Sequence, residues 1–329
     1  MRALITGCAG FAGSHLAEYL LQRNHEVIAL VKEQDSLTNL ETILPYLQVE
    51  CADVRDADRV LQVLRETKPQ RIYHLAAMTS PIESLGNPRL NYEVNFGGTL
   101  NLLCAWRDSG MDCRFLYVSS VEVYGTEFSG QEPLSEEAPL QPANPYGASK
   151  AAAELLAFQF YKGYGLPIVR VRPFNHTGPR QSSAFVCSSF AKQIAEIELG
   201  LQPPVVNVGN LKVSRDFSDV RDIVAGYHLL LEKGEPGDVY QLCSGRAVSI
   251  ETVLRILTAL APQSIQIAVD ESKMRDHDVP ELWGDPSKAR RAVGWRVQYE
   301  LETTLRDLKL CWEKAVRSEY GLSRPLVQS

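Results

Sequence analysis

The 329-residue sequence contains no apolar run long enough to span a bilayer, no low-complexity tract and no block of like charge. It also lacks any excess of positive charge: the formal net charge is -6, which argues against a surface built to neutralise a nucleic-acid backbone. Any phosphate site must therefore be assembled locally. No CxxC pair occurs; the seven cysteines, at 8, 51, 104, 113, 187, 243 and 311, are odd in number and mostly sit in apolar runs, so we read them as reduced core thiols. The strand-like Arg2-Ala3-Leu4-Ile5-Thr6 is preceded by no charged segment, longer apolar stretch or cleavage site, and we expect a cytoplasmic protein with no membrane and no nucleic-acid partner. What is present is ordinary for a globular chain, 45% hydrophobic and 22% charged residues.

Short apolar runs at 2 to 6, 27 to 31, 71 to 75, 115 to 118 and 168 to 172 read as strands. Helical periodicity lies between them. Segment 12 to 24 spaces Ala12, Leu16, Tyr19, Leu20 and Arg23 helically and ends at Asn24, and 57 to 67 repeats Val60, Leu61 and Leu64 after an Asp-rich start. Strands in such a series run parallel, because each crossover helix packs back with one hand. The fold class expected is α/β, a doubly wound parallel sheet with a smaller C-terminal substrate-binding lobe. We place a cofactor domain at 1-172, completed by about 215-246, and the lobe at 173-214 and 247-317. A helix at about 185 to 199 belongs to the lobe. The helix at 219 to 232, opened by Asp219, and the strand Val239 to Cys243 rejoin the sheet.

The run Thr6-Gly7-Cys8-Ala9-Gly10-Phe11-Ala12-Gly13 places GxxGxxG directly after the first strand and at the mouth of the first helix. Gly7 permits a tight turn, Gly10 lets the backbone approach a pyrophosphate, and Gly13 lets helix and strand pack closely. This is the Rossmann-type dinucleotide signature. At the end of the second strand, where an acid would select NAD, the chain reads Val31-Lys32-Glu33; Lys32 suits a 2'-phosphate, so we expect NADP(H) to be preferred, with NAD(H) as the alternative. Asp53 and Val54 follow the third strand, with Asp53 suited to the adenine amino group. His74-Leu75-Ala76-Ala77 ends the fourth with small residues, Leu75, Ala76 and Ala77, beside which a ribose can pass.

Tyr146-Gly147-Ala148-Ser149-Lys150 follows Pro145 at the start of a helix continuing to Tyr164. Four residues make about one turn, so phenol and ammonium share a face. A free phenol has a pKa near ~10; an adjacent Lys and a positive nicotinamide ring would favour the phenolate, so that Tyr146 exchanges a proton with a sugar oxygen. The fifth strand ends in Val118-Ser119-Ser120-Val121-Glu122-Val123-Tyr124-Gly125, which delivers small hydroxyls to the ligand-binding edge of the sheet. Ser120 is the candidate for orienting the substrate oxygen, and Glu122 is a candidate base.

TGxxGFxG, HLAA, SSVEVYG, PYGASK and RPFN occur in this order over roughly the first half of the chain, which resembles the extended short-chain dehydrogenase/reductases of the nucleotide-sugar group. In the second half, Phe174-Asn175-His176-Thr177-Gly178-Pro179-Arg180, Phe190-Ala191-Lys192-Gln193-Ile194, Val208-Gly209-Asn210-Leu211, Arg215-Asp216-Phe217-Ser218-Asp219 and Cys243-Ser244-Gly245 resemble the GDP-4-keto-6-deoxy-D-mannose reductases most, and the GDP-mannose 4,6-dehydratases second. The resemblance implies a GDP-linked sugar substrate, with Asn175, Lys192, Arg215 and Arg275 around its diphosphate, and Arg172 beside the cofactor with Tyr146 and Lys150. It also implies a homodimer formed by a four-helix contact of the segments near 90 to 108 and 146 to 164. One departure is Arg275-Asp276-His277-Asp278, where such reductases carry Arg-Pro and then an acid. His277 between two acids reads as a loop salt-bridge cluster, and no metal site is expected.

Reduction of a 4-keto group needs a hydride and one proton, and that machinery is complete here. A dehydratase needs further acid/base groups beside the fifth strand. Val121 stands where the resemblance places Asp in dTDP-glucose dehydratases and Ser in GDP-mannose dehydratases, which favours reduction. A dehydratase using Glu122 and a C4 epimerase stay open, as does a silent NAD(P)-sensing scaffold, against which the intact Ser120, Tyr146 and Lys150 speak.

Overall fold

The computed structural model describes residues 1–126, 132–274 and 279–322. The chain begins with β1 (Arg2–Thr6), α1 (Phe11–Leu21), β2 (Glu26–Val31), β3 (Leu47–Cys51), α2 (Ala57–Thr67) and β4 (Arg71–His74), of which the largely exposed β3 is not among the apolar runs read as strands. Asn24, expected to close the first helix, adopts a left-handed φ of 60° three residues past the end of α1, a conformation its short polar side chain tolerates. Two short helices follow, α3 (Pro81–Gly86) and α4 (Pro88–Tyr92). The helix expected near 90 to 108 is an uninterrupted helical run made of α4, a π-helical turn at Glu93–Gly97, and α5 (Gly98–Ser109). The widened turn coincides with buried Asn95, whose amide donates out of the helix to Met78 O at 3.1 Å and Ser149 Oγ at 2.9 Å.

Next come β5 (Arg114–Val118), α6 (Pro145–Tyr164), β6 (Ile168–Pro173), β7 (Asn175–Thr177), α7 (Val186–Glu198), β8 (Val205–Val208), β9 (Ser214–Asp219), α8 (Val220–Lys233) and β10 (Val239–Leu242). The chain then forms β11 (Ala247–Ser249), α9 (Ile250–Ala259), β12 (Gln266–Val269), β13 (Glu281–Leu282), α10 (Ser287–Val293) and α11 (Leu301–Glu319). Seven strands pair in the order β10-β6-β5-β4-β1-β2-β3, all parallel. The order reverses between β1 and β4, and a crevice at such a switch point, outside the carboxyl ends of the strands, is where open α/β sheets bind ligands.

Both faces of this sheet are covered. On one, α1 and α8 bury Leu16, Leu20, Val224 and Tyr227 with Trp295; on the other, α2, α5 and α6 bury Val60, Leu64, Leu103, Trp106, Ala157 and Phe160. The second lobe has its own core, in which Phe190 and Ile194 of α7, Leu254 of α9 and Leu305 and Leu308 of α11 pack over Val206 and Phe217. Its small sheets are β11-β9-β13 with β7 beside β9, and β12-β8. All seven cysteines are free; Cys8, Cys113, Cys187 and Cys243 are buried, whereas Cys51 is exposed on the edge strand β3 rather than in the core. Among the described residues no helix is long and apolar enough to cross a membrane.

Candidate active site

A cavity of about 1360 Å³ runs along the carboxyl edge of the large sheet and under the second lobe. At its start, β1 turns through Gly7 into α1. Gly7 has φ +67°, and a Cβ there would sit 2.9 Å from Ala76 Cα; a Cβ on Gly13 would lie 2.3 Å from Gly7 O. The turn therefore has room for hydrogen only. Gly10 precedes α1 and no side chain caps this helix, so its first N-H groups remain available where Gly10, Phe11, Ala12 and Gly13 line the cavity. Free helix N-H groups beside the bare backbone of Gly7, Gly10 and Gly13 fit a pyrophosphate, and the residues present suit a dinucleotide. Phe11 stacks on His176 of the second lobe with ring centroids 5.8 Å apart.

Around the cavity's far end, Val31, Val54, Leu75, Ala76 and Ala77 form an apolar wall. Thr6 Oγ1 fixes its edge by accepting from Leu75 N at 3.1 Å and Ala76 N at 3.0 Å. His74 lies behind this wall, bonded to Thr6 Oγ1 and Thr99 Oγ1, and burial pushes its pKa down to about 3, so it is a neutral structural residue. Lys32 is on the rim and ion-paired with Asp35 at 3.5 Å, and Asp35 also accepts from Lys32 N at 2.9 Å. Asp53 lines the cavity with its carboxylate held by Arg55 at 2.7 Å. Asp35 and Arg55 were not singled out from sequence, because their placement depends on loop conformation.

Ser120, Glu122, Tyr146 and Lys150 all open onto this same cavity. The chain reaches them by local rules. Asn144 caps α6 by accepting from Gly147 N at 2.8 Å, Pro145 occupies the first helical turn, and Asn144 Nδ2 donates to Glu122 Oε2 at 2.9 Å. Asn144 was missed, although an Asn before Pro at a helix start is a readable signal. Lys150 Nζ lies 4.7 Å from the Tyr117 ring centroid, and Tyr117 Oη donates to Lys150 O at 3.1 Å.

Burial pushes the Tyr146 phenol up to about 12, against the pull of the Ser120 hydrogen bond. Burial also pushes Lys150 down to about 7, opposed by the charge of Glu154. In both groups burial outweighs the neighbouring charges and hydrogen bonds.

Of the residues expected around a diphosphate, Asn175 and Arg215 line the cavity. Arg215 also donates to Val279 O at 2.7 Å. Lys192 does not: it pairs with Glu196 at 3.7 Å and lies over the Trp312 ring, because its face of α7 is turned to α11. Arg275 and His277 lie outside the described residues. Arg172, expected beside the cofactor, is buried behind the site instead, donating to Glu154 at 2.6 Å, to Tyr124 Oη at 2.7 Å and to Glu136 O at 2.9 Å. Among the described residues no group of three or more His, Cys, Asp or Glu is placed to share a metal ion.

A family profile described as GDP-mannose 4,6 dehydratase matches residues 4–308. The GDP-6-deoxy-D-mannose reductase of Pseudomonas aeruginosa is 35% identical over 318 residues, covering 97% of this chain and 99% of that protein. GDP-mannose 4,6 dehydratase 2 of Arabidopsis thaliana is 30% identical, covering 97% and 90% respectively. Among solved structures, RMD from Pseudomonas aeruginosa complexed with NADPH gives a TM-score of 0.85 at 34% identity, over 95% of this chain and 99% of that one. The Thermus thermophilus UDP-glucose 4-epimerase complex with NAD also gives 0.85, at 30% identity, over 96% and 100%.

Proposed function

The chain belongs to the GDP-mannose 4,6-dehydratase family of extended short-chain dehydrogenase/reductases and is an NAD(P)-dependent nucleotide-sugar oxidoreductase, and from that premise we propose that it reduces the 4-keto group of GDP-4-keto-6-deoxy-D-mannose to GDP-D-rhamnose or its C4 epimer. The observation that carries this reading is the shared cavity in which Tyr146, Lys150 and Ser120 meet the glycine loop, with aliphatic Val121 as the neighbour of Glu122.

The bound nicotinamide supplies the hydride. The chain's own residues manage charge and position. Tyr146, its pKa pushed up to about 12, stays protonated at neutral pH and so holds a proton ready for the substrate oxygen as that oxygen becomes an alkoxide. Ser120, at the end of β5, orients the same oxygen, and Lys150, beneath Tyr146 on α6, offsets negative charge there. Asn175 and Arg215 hold the diphosphate arm, where a guanidinium suits a dianion. Gly7, Gly10 and Gly13 seat the dinucleotide, and Lys32 at the rim favours a 2'-phosphate, so NADPH is the better reductant and NADH a poorer one. Residues 1–172 with about 215–246 serve the cofactor, apart from β9 (Ser214–Asp219), which pairs with β11 and β13 and carries Arg215, and 173–214 with 247–317 serve the sugar nucleotide. Exposed Tyr92 and Leu155, on α4 and α6, suit a homodimer through these helices, which light scattering at micromolar concentration tests.

A second reading has one observation in its favour: Glu122 opens onto the cavity and is steadied by Asn144, as a base for a dehydratase would be. Incubation with GDP-4-keto-6-deoxymannose and with GDP-mannose, following NAD(P)H absorbance and product mass together, separates the two. Consumption of NAD(P)H with the ketone is expected; release of a 4-keto product from GDP-mannose without such consumption overturns the reductase.

A further inference from the structure

Ser84 belongs to α3, far from Tyr146 in sequence, and is fully buried. Its hydroxyl donates to Pro81 O at 2.6 Å and accepts from the backbone N-H of Tyr146 at 3.2 Å. That N-H lies in the first turn of α6, where no intrahelical acceptor exists. Asn144 serves Gly147 N, so the Tyr146 amide depends on a residue from another element. The carbonyl of Tyr146 is held as well. It lies 2.8 Å from Ser149 Oγ, whose single proton is shared between this carbonyl and Asn91 Oδ1 at 2.7 Å, while Ser149 Oγ accepts from Asn95 Nδ2 at 2.9 Å, all buried.

The same short helix presents Pro81 and Ile82 to the cavity onto which Tyr146 and Lys150 open. Ser84 thus joins a cavity wall to the backbone of the phenol by one hydrogen bond. Lys150 sits a turn deeper, with its ammonium over the Tyr117 ring and its carbonyl bonded to the Tyr117 hydroxyl. Loosening the first turn therefore moves the phenol relative to the ammonium rather than moving both.

We propose that Ser84 is a positioning residue for the reaction, setting the Tyr146 phenol against the substrate-facing wall Pro81 and Ile82 through the Tyr146 amide. This rests on the reading of Tyr146 as the proton donor. Small displacements of a reacting group are expensive in rate, so Ser84→Ala is expected to lower kcat about ten- to a hundredfold. The KM for NAD(P)H and its dissociation constant stay at wild-type values, since the glycine loop is untouched.

The experiment compares the full-length wild type, Ser84→Ala, Ser84→Thr, Ser84→Cys and Tyr146→Phe, reading kcat, cofactor affinity and hydrogen exchange at the Tyr146 amide. The alanine variant should exchange that amide faster, and the threonine variant, which keeps the hydroxyl, should recover both kcat and protection. Ser84→Cys, nearly isosteric with a weaker acceptor, gives the same direction on a smaller scale and serves should the alanine variant not fold. Wild-type kcat in a folded alanine or cysteine variant overturns the proposal, as does a fall in kcat with unchanged exchange at Tyr146. Full turnover by Tyr146→Phe overturns instead the donor reading on which it rests.

Discussion

Gly13 stands against the carbonyl of Gly7 so closely that a single added carbon would lie 2.3 Å from that oxygen. The contact is backbone to backbone, so no rotamer change relieves it. Gly13→Ala must push the start of α1 away from β1 and spoil the cradle lined by Gly10 and Phe11. Cofactor affinity, measured by fluorescence titration with NADPH, is expected to fall at least about tenfold, and the melting temperature to drop by several degrees, as for an overpacked core site.

Lys150 has a stability cost that its function explains. Burial holds its folded pKa at about 7, well below the ordinary lysine value of 10.5 that the unfolded chain retains. Between those values the unfolded chain carries a proton that the folded chain lacks, so unfolding takes up a proton and stability rises with pH across the window. Lys150→Met removes the titrating group while keeping much of its volume. Without cofactor, this variant should melt higher than wild type at pH 7 and converge on it as pH approaches 10.5. The check is paired calorimetry across that range; a difference that does not vary with pH contradicts the buried-lysine account.

Much of the cofactor cradle was legible because period-2 and period-3.6 hydrophobic patterns bracket the glycine loop, and a short loop between a strand and a helix leaves little conformational choice. Tyr146 and Lys150 were legible for the same reason, being one helical turn apart. Side chains that choose between faces were harder to read. Every residue of β6 is buried, so the strand has no polar face to show which way Arg172 points, although Arg170 and Arg172 at alternate positions do share a side. Lys192 and Glu196 form an i,i+4 pair that suggests a helix flank turned from the cavity. The π turn at Glu93–Gly97 has no periodic signature, since tertiary hydrogen bonds of Asn95 impose it.

Arg172 and Glu154 offer a direct contrast between the two placements of that arginine. Glu154 is fully buried and receives Arg172 through Nε and Nη2, with Arg170 at 3.4 Å. Replacing Arg172 by Met leaves a buried carboxylate short of its main partner, a loss of about 3 kcal/mol of stability in urea denaturation. The protein that remains folded should bind NADPH with unchanged affinity. A selective loss of cofactor binding at wild-type stability would return Arg172 to the cofactor.

Asp35 decides how freely Lys32 can serve a 2'-phosphate. Its carboxylate takes both the Lys32 backbone N-H and, at 3.5 Å, the Lys32 ammonium, at the edge of the cavity. A dianionic phosphate brought to this corner competes with the Asp35 carboxylate for the Lys32 ammonium, so Asp35 tempers the preference for NADPH that Lys32 provides. Asp35→Ala removes the competitor and leaves Lys32 half-exposed in place. The pair is exposed enough for solvent to screen it, so the expected effect is modest, a change of about three- to tenfold in the NADPH-to-NADH affinity ratio in favour of NADPH. Titration with 2',5'-ADP and with ADP tests this without turnover. Tightening of 2',5'-ADP alone is the expected result, and equal change for both nucleotides would place Asp35 outside the selection of the cofactor's phosphate.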